Sequence, residues 1–225
     1  MIDKSWLNHV EATWFYQHLR HRMNQGLIQF FQRTVFDEDR TYRVAEVACG
    51  SGYGAHLLAA HPRVELSVAA DISLEDFLEA GIRDYQAAFV LMDIFSPALQ
   101  PATMDLVWNS SSLEELDQPD VALAAMVRLT RPGGRVFVGV PNKRGPAGWL
   151  RTVSGSRTRA WLGRVYGRSE LRNLFSIAGL EVEAETVYLG GTFIGVLGKK
   201  SLVRDDRSPL NPRRSRSRTA GRPAR

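Results

Sequence analysis

The chain has 225 residues, 44% of them hydrophobic and 24% charged, with a formal net charge of +5. This length supports one sizeable core. Because no apolar run is long enough to span a bilayer and the first residues lack a secretory layout, we expect a soluble cytoplasmic domain. Cys49 is the single cysteine, which excludes an internal disulfide.

The positive charge is concentrated at the C-terminal end. Residues 199–225 hold ten basic side chains and two aspartates, a charge of +8, which leaves −3 for the first 198 residues. A slightly acidic body does not favour nucleic acid as a partner of the core. The Ser/Arg/Pro-rich composition predicts that residues 199–225 form a disordered basic tail, which could bind RNA or anionic lipid weakly.

Strands and helices alternate along the rest of the chain. Apolar side chains repeat at helical spacing over residues 4–36, and we expect a helical lid over residues 1–41 that Gly26 divides into two helices. Ser169 is expected to cap a later helix, which Gly179 ends. Short apolar runs predict strands at 42–48, 64–71, 87–92, 104–109, 135–140, 180–188 and 192–197.

The order of these elements predicts an α/β fold. Strand–helix–strand alternation implies right-handed crossovers and a mostly parallel sheet, because that connection lets each helix pack back onto the sheet. Residues 131–134, Arg-Pro-Gly-Gly, predict a turn before the fifth strand. Leu-Gly-Gly at 189–191 separates the last two strands, which predicts a closing antiparallel hairpin.

The first strand runs into a glycine loop, which reads Glu-Val-Ala-Cys-Gly-Ser-Gly-Tyr-Gly over residues 46–54. Glycine lacks a Cβ and lets a ligand approach the backbone, and the helix that follows points its positive end at that ligand. Residues 50–55 satisfy the G-x-G-x-x-G/A pattern of dinucleotide sites, with Asp71 at a suitable distance for a ribose. Glu46 instead favours S-adenosylmethionine, because a carboxylate attracts its ammonium and sulfonium cations.

Residues 42–198 resemble class I S-adenosylmethionine-dependent methyltransferases of the ubiquinone/menaquinone-methylase-like group. Five motifs carry the resemblance in the right order: 46–52, Asp71, Asp93, 105–110 and 131–135. The resemblance implies a Rossmann-like fold with a mostly parallel seven-stranded sheet and a C-terminal antiparallel hairpin. It also implies that residues 42–198 form the cofactor-binding core and that 142–167 form a substrate-side insertion.

The resemblance further implies a set of cofactor contacts. Residues of the glycine loop would cradle the methionine portion, Asp71 would accept hydrogen bonds from both ribose hydroxyls, and Asp93 would lie near the adenine amino group. No metal site is predicted. The expected cofactor-binding residues are Glu46, Ala48, Cys49, Gly50, Ser51, Gly52, Asp71, Ile72, Met92, Asp93, Ile94, Asn109 and Ser110.

The catalytic residues are less defined by the resemblance. Relatives often have a histidine near the substrate at the position where this chain has Glu115. We expect the Glu115 carboxylate to replace that histidine as the catalytic base. Asn109 is a second candidate, because it leaves the fourth strand toward the cofactor. Further possible proton acceptors are Glu114, His9, His18 and His21.

The predicted function is methyl transfer from S-adenosylmethionine to a small-molecule, natural-product or glycan-like acceptor. The arginines and tryptophans of the 142–167 insertion also suit an amphiphilic acceptor and peripheral membrane contact. Two alternatives remain open: an NAD-binding oxidoreductase, and a non-catalytic cofactor-binding or RNA-associated protein that uses the basic tail. The oligomeric state is not predicted.

Overall fold

The computed structural model describes residues 14–79, 85–153, 155 and 163–202. The side chains of residues 14–17 and 79 lie outside this description. Its seven strands are β1 (Tyr42–Val47), β2 (Val64–Asp71), β3 (Ala88–Leu91), β4 (Met104–Ser110), β5 (Thr130–Pro141), β6 (Leu180–Tyr188) and β7 (Phe193–Lys200).

One long helix precedes β1, and the other helices lie in the connections between strands. Among the described residues, none of them combines the length and apolarity needed to cross a membrane. They are α1 (Trp14–Thr34), α2 (Tyr53–Ala59), α3 (Leu74–Glu79), α4 (Pro119–Leu129), α5 (Pro146–Val153) and α6 (Arg168–Ile177), with a short 3₁₀ helix at Leu113–Glu115.

All seven strands form one sheet in the order β3-β2-β1-β4-β5-β7-β6. The first five strands pair in parallel, whereas β7 runs antiparallel to both β5 and β6. The predicted Rossmann-like α/β fold with a closing hairpin is therefore confirmed. Strand order reverses between β1 and β4, and ligands of open α/β sheets bind beyond the carboxyl ends of the strands at such a switch point.

The N-terminal region differs from the expected pair of helices. Helix α1 continues without a break through Gly26. Leu27, Phe30 and Phe31 of this helix are buried in one cluster with Trp108 of β4 and strand β5. Burial of these large side chains offsets the roughly 1 kcal/mol that a glycine costs inside a helix. The second half of α1 is thus part of the core, while residues 1–13 of the predicted lid lie outside the described residues.

Three further boundaries differ from the sequence-based expectations. Strand β5 already begins at Thr130, which pairs with Met104, and 131–134 form an irregularity within the strand instead of a preceding turn. Helix α6 begins at Arg168 after Gly167, whose N–H donates to the Glu170 carboxylate at 2.7 Å, so Ser169 is not its cap. The third boundary is the start of the basic tail, which was predicted at residue 199 although β7 continues through Lys200.

The first two residues of that tail belong to the sheet. Lys199 and Lys200 complete β7, and the Lys200 ammonium donates to the carbonyls of Val127 and Thr130 at 2.7 Å each. Burial lowers the pKa of Lys200. A long charged side chain can extend a strand when its head group reaches backbone acceptors. The rest of the tail from 203 onward lies outside the described residues.

Candidate functional site

The glycine loop lies between β1 and α2, at the carboxyl edge of the sheet beside the switch point. Ala48, Gly50 and Gly52 all have positive φ angles, of 49°, 55° and 68°. A Cβ on Gly52 would lie 2.8 Å from Phe89, whereas a Cβ on Gly50 would meet only Arg20, at 3.8 Å. Gly52 is therefore required by packing, and Gly50 leaves its outer side open to a ligand.

Glu46 is the penultimate residue of β1, just before this loop. Its Oε2 accepts a hydrogen bond from the Ala55 N–H at 2.6 Å, and the residue is 6% exposed. Burial raises the pKa of Glu46 to about 8, although Arg20 and the Ala55 N–H favour its ionised form. A buried carboxyl with one hydrogen bond to its Oε2 still has acceptor capacity, and a cationic ligand group would favour its ionisation.

Asp71 ends β2, the strand beside β1. Its Oδ2 accepts from the Gly50 N–H at 2.7 Å and its Oδ1 from the Ser73 N–H at 3.0 Å. These two bonds connect the carboxylate to the glycine loop and to the start of α3. Since a carboxylate has about four acceptor positions, Asp71 retains room for the two hydroxyl donors of a vicinal diol.

Helix α1 contributes residues that face the glycine loop. The Arg20 guanidinium lies near Gly50 and favours the ionised form of Glu46. At the next position of α1, His21 Nδ1 and the Tyr53 hydroxyl form a 2.6 Å hydrogen bond between α1 and α2. The loop is therefore covered by a helix that brings an arginine to the same edge as the two carboxyl groups.

The remaining glycine-loop residues have mainly structural contacts. The Cys49 N–H donates to the Ala70 carbonyl at 3.2 Å, and burial raises the pKa of the Cys49 thiol far above its usual range. A protonated buried thiol is a poor nucleophile, so Cys49 packs within the loop. Ser51 is half-buried next to it.

The residues predicted to surround an adenine ring are distributed over the ends of β2 and β3. Ile72 is 70% exposed next to Asp71, as an apolar contact for a ring would need to be. Met92 and Ile94 are instead buried in the main hydrophobic cluster. Asp93 between them is exposed, and its Oδ1 accepts from the Phe95 N–H at 2.9 Å. Their contacts with adenine stay predictions.

Asn109 and Ser110, at the end of β4, form hydrogen bonds with different kinds of partner: Asn109 with backbone groups and Ser110 with a side chain. Asn109 is 1% exposed; its amide donates to the Val47 carbonyl at 2.7 Å and its Oδ1 accepts from the Leu113 N–H. These bonds hold β1, β4 and the following turn together, so we assign Asn109 a positioning role. The Ser110 hydroxyl pairs with the Tyr188 hydroxyl at 2.9 Å.

The two neighbouring glutamates after β4 face different environments. Glu115, the predicted substitute for a histidine, is exposed, whereas Glu114 is buried. Burial raises the pKa of Glu114 to about 8. The described structure therefore points to Glu114 as the carboxyl with an unusual environment. His18 lies on an exposed face of α1, and His9 lies outside the described residues.

Sequence reasoning missed Arg20 and Tyr188 as parts of this region. Arg20 is one of many arginines and lies 30 residues before Gly50, so no local motif marks it. Tyr188 ends β6 at the edge of the sheet, and its side chain reaches Ser110 across β5, where a Cβ on Gly139 would lie 2.1 Å from the Tyr188 hydroxyl. Both are contributed by elements distant in the sequence.

The residues present fit S-adenosylmethionine. The cofactor has a cationic amino-acid end, a ribose with two neighbouring hydroxyls and an adenine ring. The edge offers Glu46 for the cation, Arg20 for a carboxylate, Asp71 for the diol and the open side of Gly50 for close approach. Within the described residues, no group of three or more His, Cys, Asp or Glu side chains forms a metal site.

The chain is similar in sequence to known methyltransferases. A probable S-adenosylmethionine-dependent methyltransferase of Mycolicibacterium smegmatis is 30% identical over 147 residues, 62% of this chain and 52% of that protein. A ubiquinone biosynthesis O-methyltransferase of Xylella fastidiosa is 33% identical over 120 residues, 49% of this chain and 46% of that protein. The chain thus spans about half the length of these curated relatives.

The fold also matches solved structures. Magnesium protoporphyrin IX methyltransferase from Synechocystis, solved with bound S-adenosylhomocysteine, superposes with a TM-score of 0.67 at 14% identity, covering 84% of this chain and 89% of that one. The model of the family described as "Methyltransferase domain" matches residues 16–185. The resemblance to class I methyltransferases and the expected cofactor of the family are therefore confirmed, and the chain belongs to the methyltransferase-domain family.

Proposed function

We propose that this chain transfers the methyl group of S-adenosylmethionine to a small-molecule acceptor. The observation that carries the proposal is the convergence of Glu46, Asp71 and Arg20 on the open side of Gly50. S-adenosylmethionine supplies a methyl group bound to positively charged sulfur, which makes the carbon reactive toward a nucleophile. The protein then has to bind, orient and exclude water.

Each charged residue has a defined part in this binding. Glu46 attracts the ammonium of the methionine portion, and Arg20 receives its carboxylate as a charge-assisted pair. Asp71 accepts hydrogen bonds from the ribose hydroxyls while its bond to the Gly50 N–H keeps the loop in place. These contacts fix the position of the reacting carbon relative to the end of β4, where the acceptor binds in this proposal.

A hydroxyl-bearing small molecule is the acceptor class we favour. The Xylella relative is named as an O-methyltransferase of ubiquinone biosynthesis, and a tocopherol O-methyltransferase of Arabidopsis thaliana is 26% identical over 107 residues. The end of β4 supports this choice through the Ser110 and Tyr188 hydroxyls and the buried Glu114. The 142–167 segment contributes α5, whose Trp149 is 68% exposed and available to an apolar part of an acceptor.

Calorimetric titration tests the cofactor half of the proposal. We expect S-adenosylmethionine and S-adenosylhomocysteine to bind the full chain and NAD not to bind. Asp71→Ala should weaken binding of S-adenosylhomocysteine by roughly tenfold to a hundredfold, because two charge-assisted hydrogen bonds are lost at about 1.5 kcal/mol or more in total. Asp120→Asn, at the exposed start of α4, serves as the matched control.

The same titration separates the oxidoreductase alternative from the proposal. Binding of NAD without either sulfur compound would support the oxidoreductase alternative and reject the proposal. Normal binding of S-adenosylhomocysteine by Asp71→Ala would show that the ribose assignment is wrong.

A further inference from the structure

The turn after β4 contains an unusual concentration of unsatisfied polar atoms. In the part of the chain that the structure describes, four buried side-chain polar atoms have no hydrogen-bond partner. Two of them, Ser111 Oγ and Glu114 Oε2, belong to this turn, and a third, Tyr166 Oη, lies next to the Arg164 guanidinium on the opposing segment. Because an unpaired buried polar group costs about 1–3 kcal/mol, a native protein retains several together only where something else compensates.

The Glu114 side chain lies under the segment that precedes α6. Glu114 is 9% exposed, and a Cβ on Gly163 would lie only 3.0 Å from its Cγ. The Arg164 N–H donates to the Glu114 carbonyl at 3.1 Å, and Tyr166 is held beside the end of β5 by backbone bonds to Pro141 and Lys143. The segment 163–166 therefore packs against the backbone and the Cγ of Glu114.

The same turn is tied to the cofactor loop. Ser112 Oγ donates to the Ala48 carbonyl at 2.8 Å, and Ser111 has a positive φ of 63°, an uncommon conformation for serine. Positions held in such strained conformations cluster at functional sites. The turn that carries Glu114 thus contacts the loop that would bind the methyl donor.

The electrostatic surroundings of Glu114 consist of acidic and phenolic groups. The side chain facing it from its own turn is Glu115, and Tyr166 and Tyr188 face it from the opposing elements; the Arg164 guanidinium lies over the Tyr166 ring at 4.7 Å. Burial first and the Glu115 charge second raise the pKa of Glu114, while its own backbone N–H lowers it. Among the described residues, none forms an ion pair with this carboxyl.

We propose that Glu114 accepts the hydroxyl proton of a phenolic acceptor during methyl transfer, with Tyr166 and Tyr188 lining the acceptor's site. This inference rests on the proposed function. The hydroxyl oxygen forms a bond to the methyl carbon, and the carbon–sulfur bond breaks with its electron pair passing to sulfur. The proton goes from the hydroxyl to the Glu114 carboxylate and afterwards to solvent.

A phenol matches this site better than an aliphatic alcohol. General-base catalysis is efficient when the pKa values of base and substrate are close, and a carboxyl with a pKa of about 8 is much nearer to a phenol, at about 10. The lining is aromatic as well: the Tyr188 ring stacks on Phe193 with centroids 5.4 Å apart. Flat apolar surfaces with hydroxyl edges suit an aromatic acceptor.

The test compares variants of the full chain in methylation of catechol, 4-methylphenol and 4-octylphenol, with products quantified by mass spectrometry. For the wild type we expect kcat/KM to rise about tenfold per pH unit from pH 6 toward 8 and then to level off. Glu114→Gln should lower kcat by roughly a hundredfold or more and remove this step. Glu181→Gln, at the exposed start of β6, is the matched control that should keep the step.

Binding of S-adenosylhomocysteine is measured on every variant to confirm that it folds. We expect Glu114→Gln to bind it within about twofold of the wild type, because Glu114 does not contact the cofactor in this proposal. If S-adenosylhomocysteine binds and no phenol is methylated, the inference is wrong. It is also wrong if Glu114→Gln retains the pH step, or if Glu115→Gln loses it instead. Failure of S-adenosylhomocysteine to bind the wild type would reject the proposed function itself.

Discussion

Gly54 offers a sharp test of how closely the glycine loop is packed against the sheet. A Cβ at this position would lie 2.4 Å from the Trp108 ring, 2.8 Å from Asn24 Oδ1 and 2.9 Å from Glu46 Oε2. Trp108 is fully buried, so it cannot move aside without disturbing its neighbours. Gly54→Ala should therefore strain the start of α2 and displace the Glu46 carboxyl.

The expected cost follows from overpacking. Inserting one methyl group into a well-packed core typically costs about 1–3 kcal/mol, which for a chain of this size lowers the Tm by roughly 2–12 °C. Gly26→Ala is the matched control, because a Cβ there has no atom within 4 Å inside α1. That substitution should stabilise the protein by about 0.5–1 kcal/mol through helix propensity.

Urea unfolding monitored by circular dichroism measures both effects. The midpoint should fall for Gly54→Ala and rise for Gly26→Ala, with little change in the slope of the transition. Gly54→Ala should also weaken S-adenosylhomocysteine binding in calorimetry, whereas Gly26→Ala should not. Equal stability of the Gly54→Ala variant and the wild type would refute the packing argument.

Three further predictions concern charge and hydrogen bonding. Affinity for S-adenosylhomocysteine should rise between pH 6 and 8 in calorimetry, because the ligand ammonium favours ionised Glu46, and Glu46→Gln should abolish this rise. Burial raises the pKa of both Glu46 and Glu114 from 4.5 to about 8, so the folded chain binds more protons than the unfolded chain between these two pH values. The free energy of unfolding should therefore fall by on the order of 4 kcal/mol from pH 6 to 8, as measured in urea titrations. Tyr188→Phe should lower the free energy of unfolding by about 1 kcal/mol by leaving the Ser110 hydroxyl unpaired, and unchanged stability would contradict this.

Much of the fold follows from local sequence patterns. Alternating strands and helices, the glycine loop and the closing hairpin are encoded by apolar periodicity and by turn residues, which act over a few neighbouring positions. Expectations failed where long-range packing outweighed a local signal. Gly26 is a helix-weakening residue, yet Phe30 and Phe31 anchor α1 in the core, and Lys200 extends β7 because its ammonium reaches two carbonyls.

The arrangement of residues around the glycine loop was more accessible to sequence patterns than the arrangement after β4. Glu46 and Asp71 lie at the carboxyl ends of neighbouring parallel strands, as the penultimate residue of β1 and the last residue of β2. Such ends meet at one edge of the sheet, so their proximity follows from strand order. Arg20 was not predicted, because its approach to Gly50 depends on how α1 crosses the sheet. Asn109 was predicted to be catalytic, but its amide is occupied by backbone atoms of β1 and the following turn.

By itself, the sequence determined the α/β class, the parallel sheet and the edge of the sheet at which the glycine loop lies, because these depend on burial patterns and glycine geometry that are local. Only the tertiary structure decided which of two adjacent glutamates is buried. Glu114 lies under Gly163, about 50 residues further along the chain, while Glu115 faces solvent. Adjacent residues of a 3₁₀ helix point in different directions, so Glu114 and Glu115 face different environments. The contact with Gly163 that determines which of them is buried is long-range in sequence.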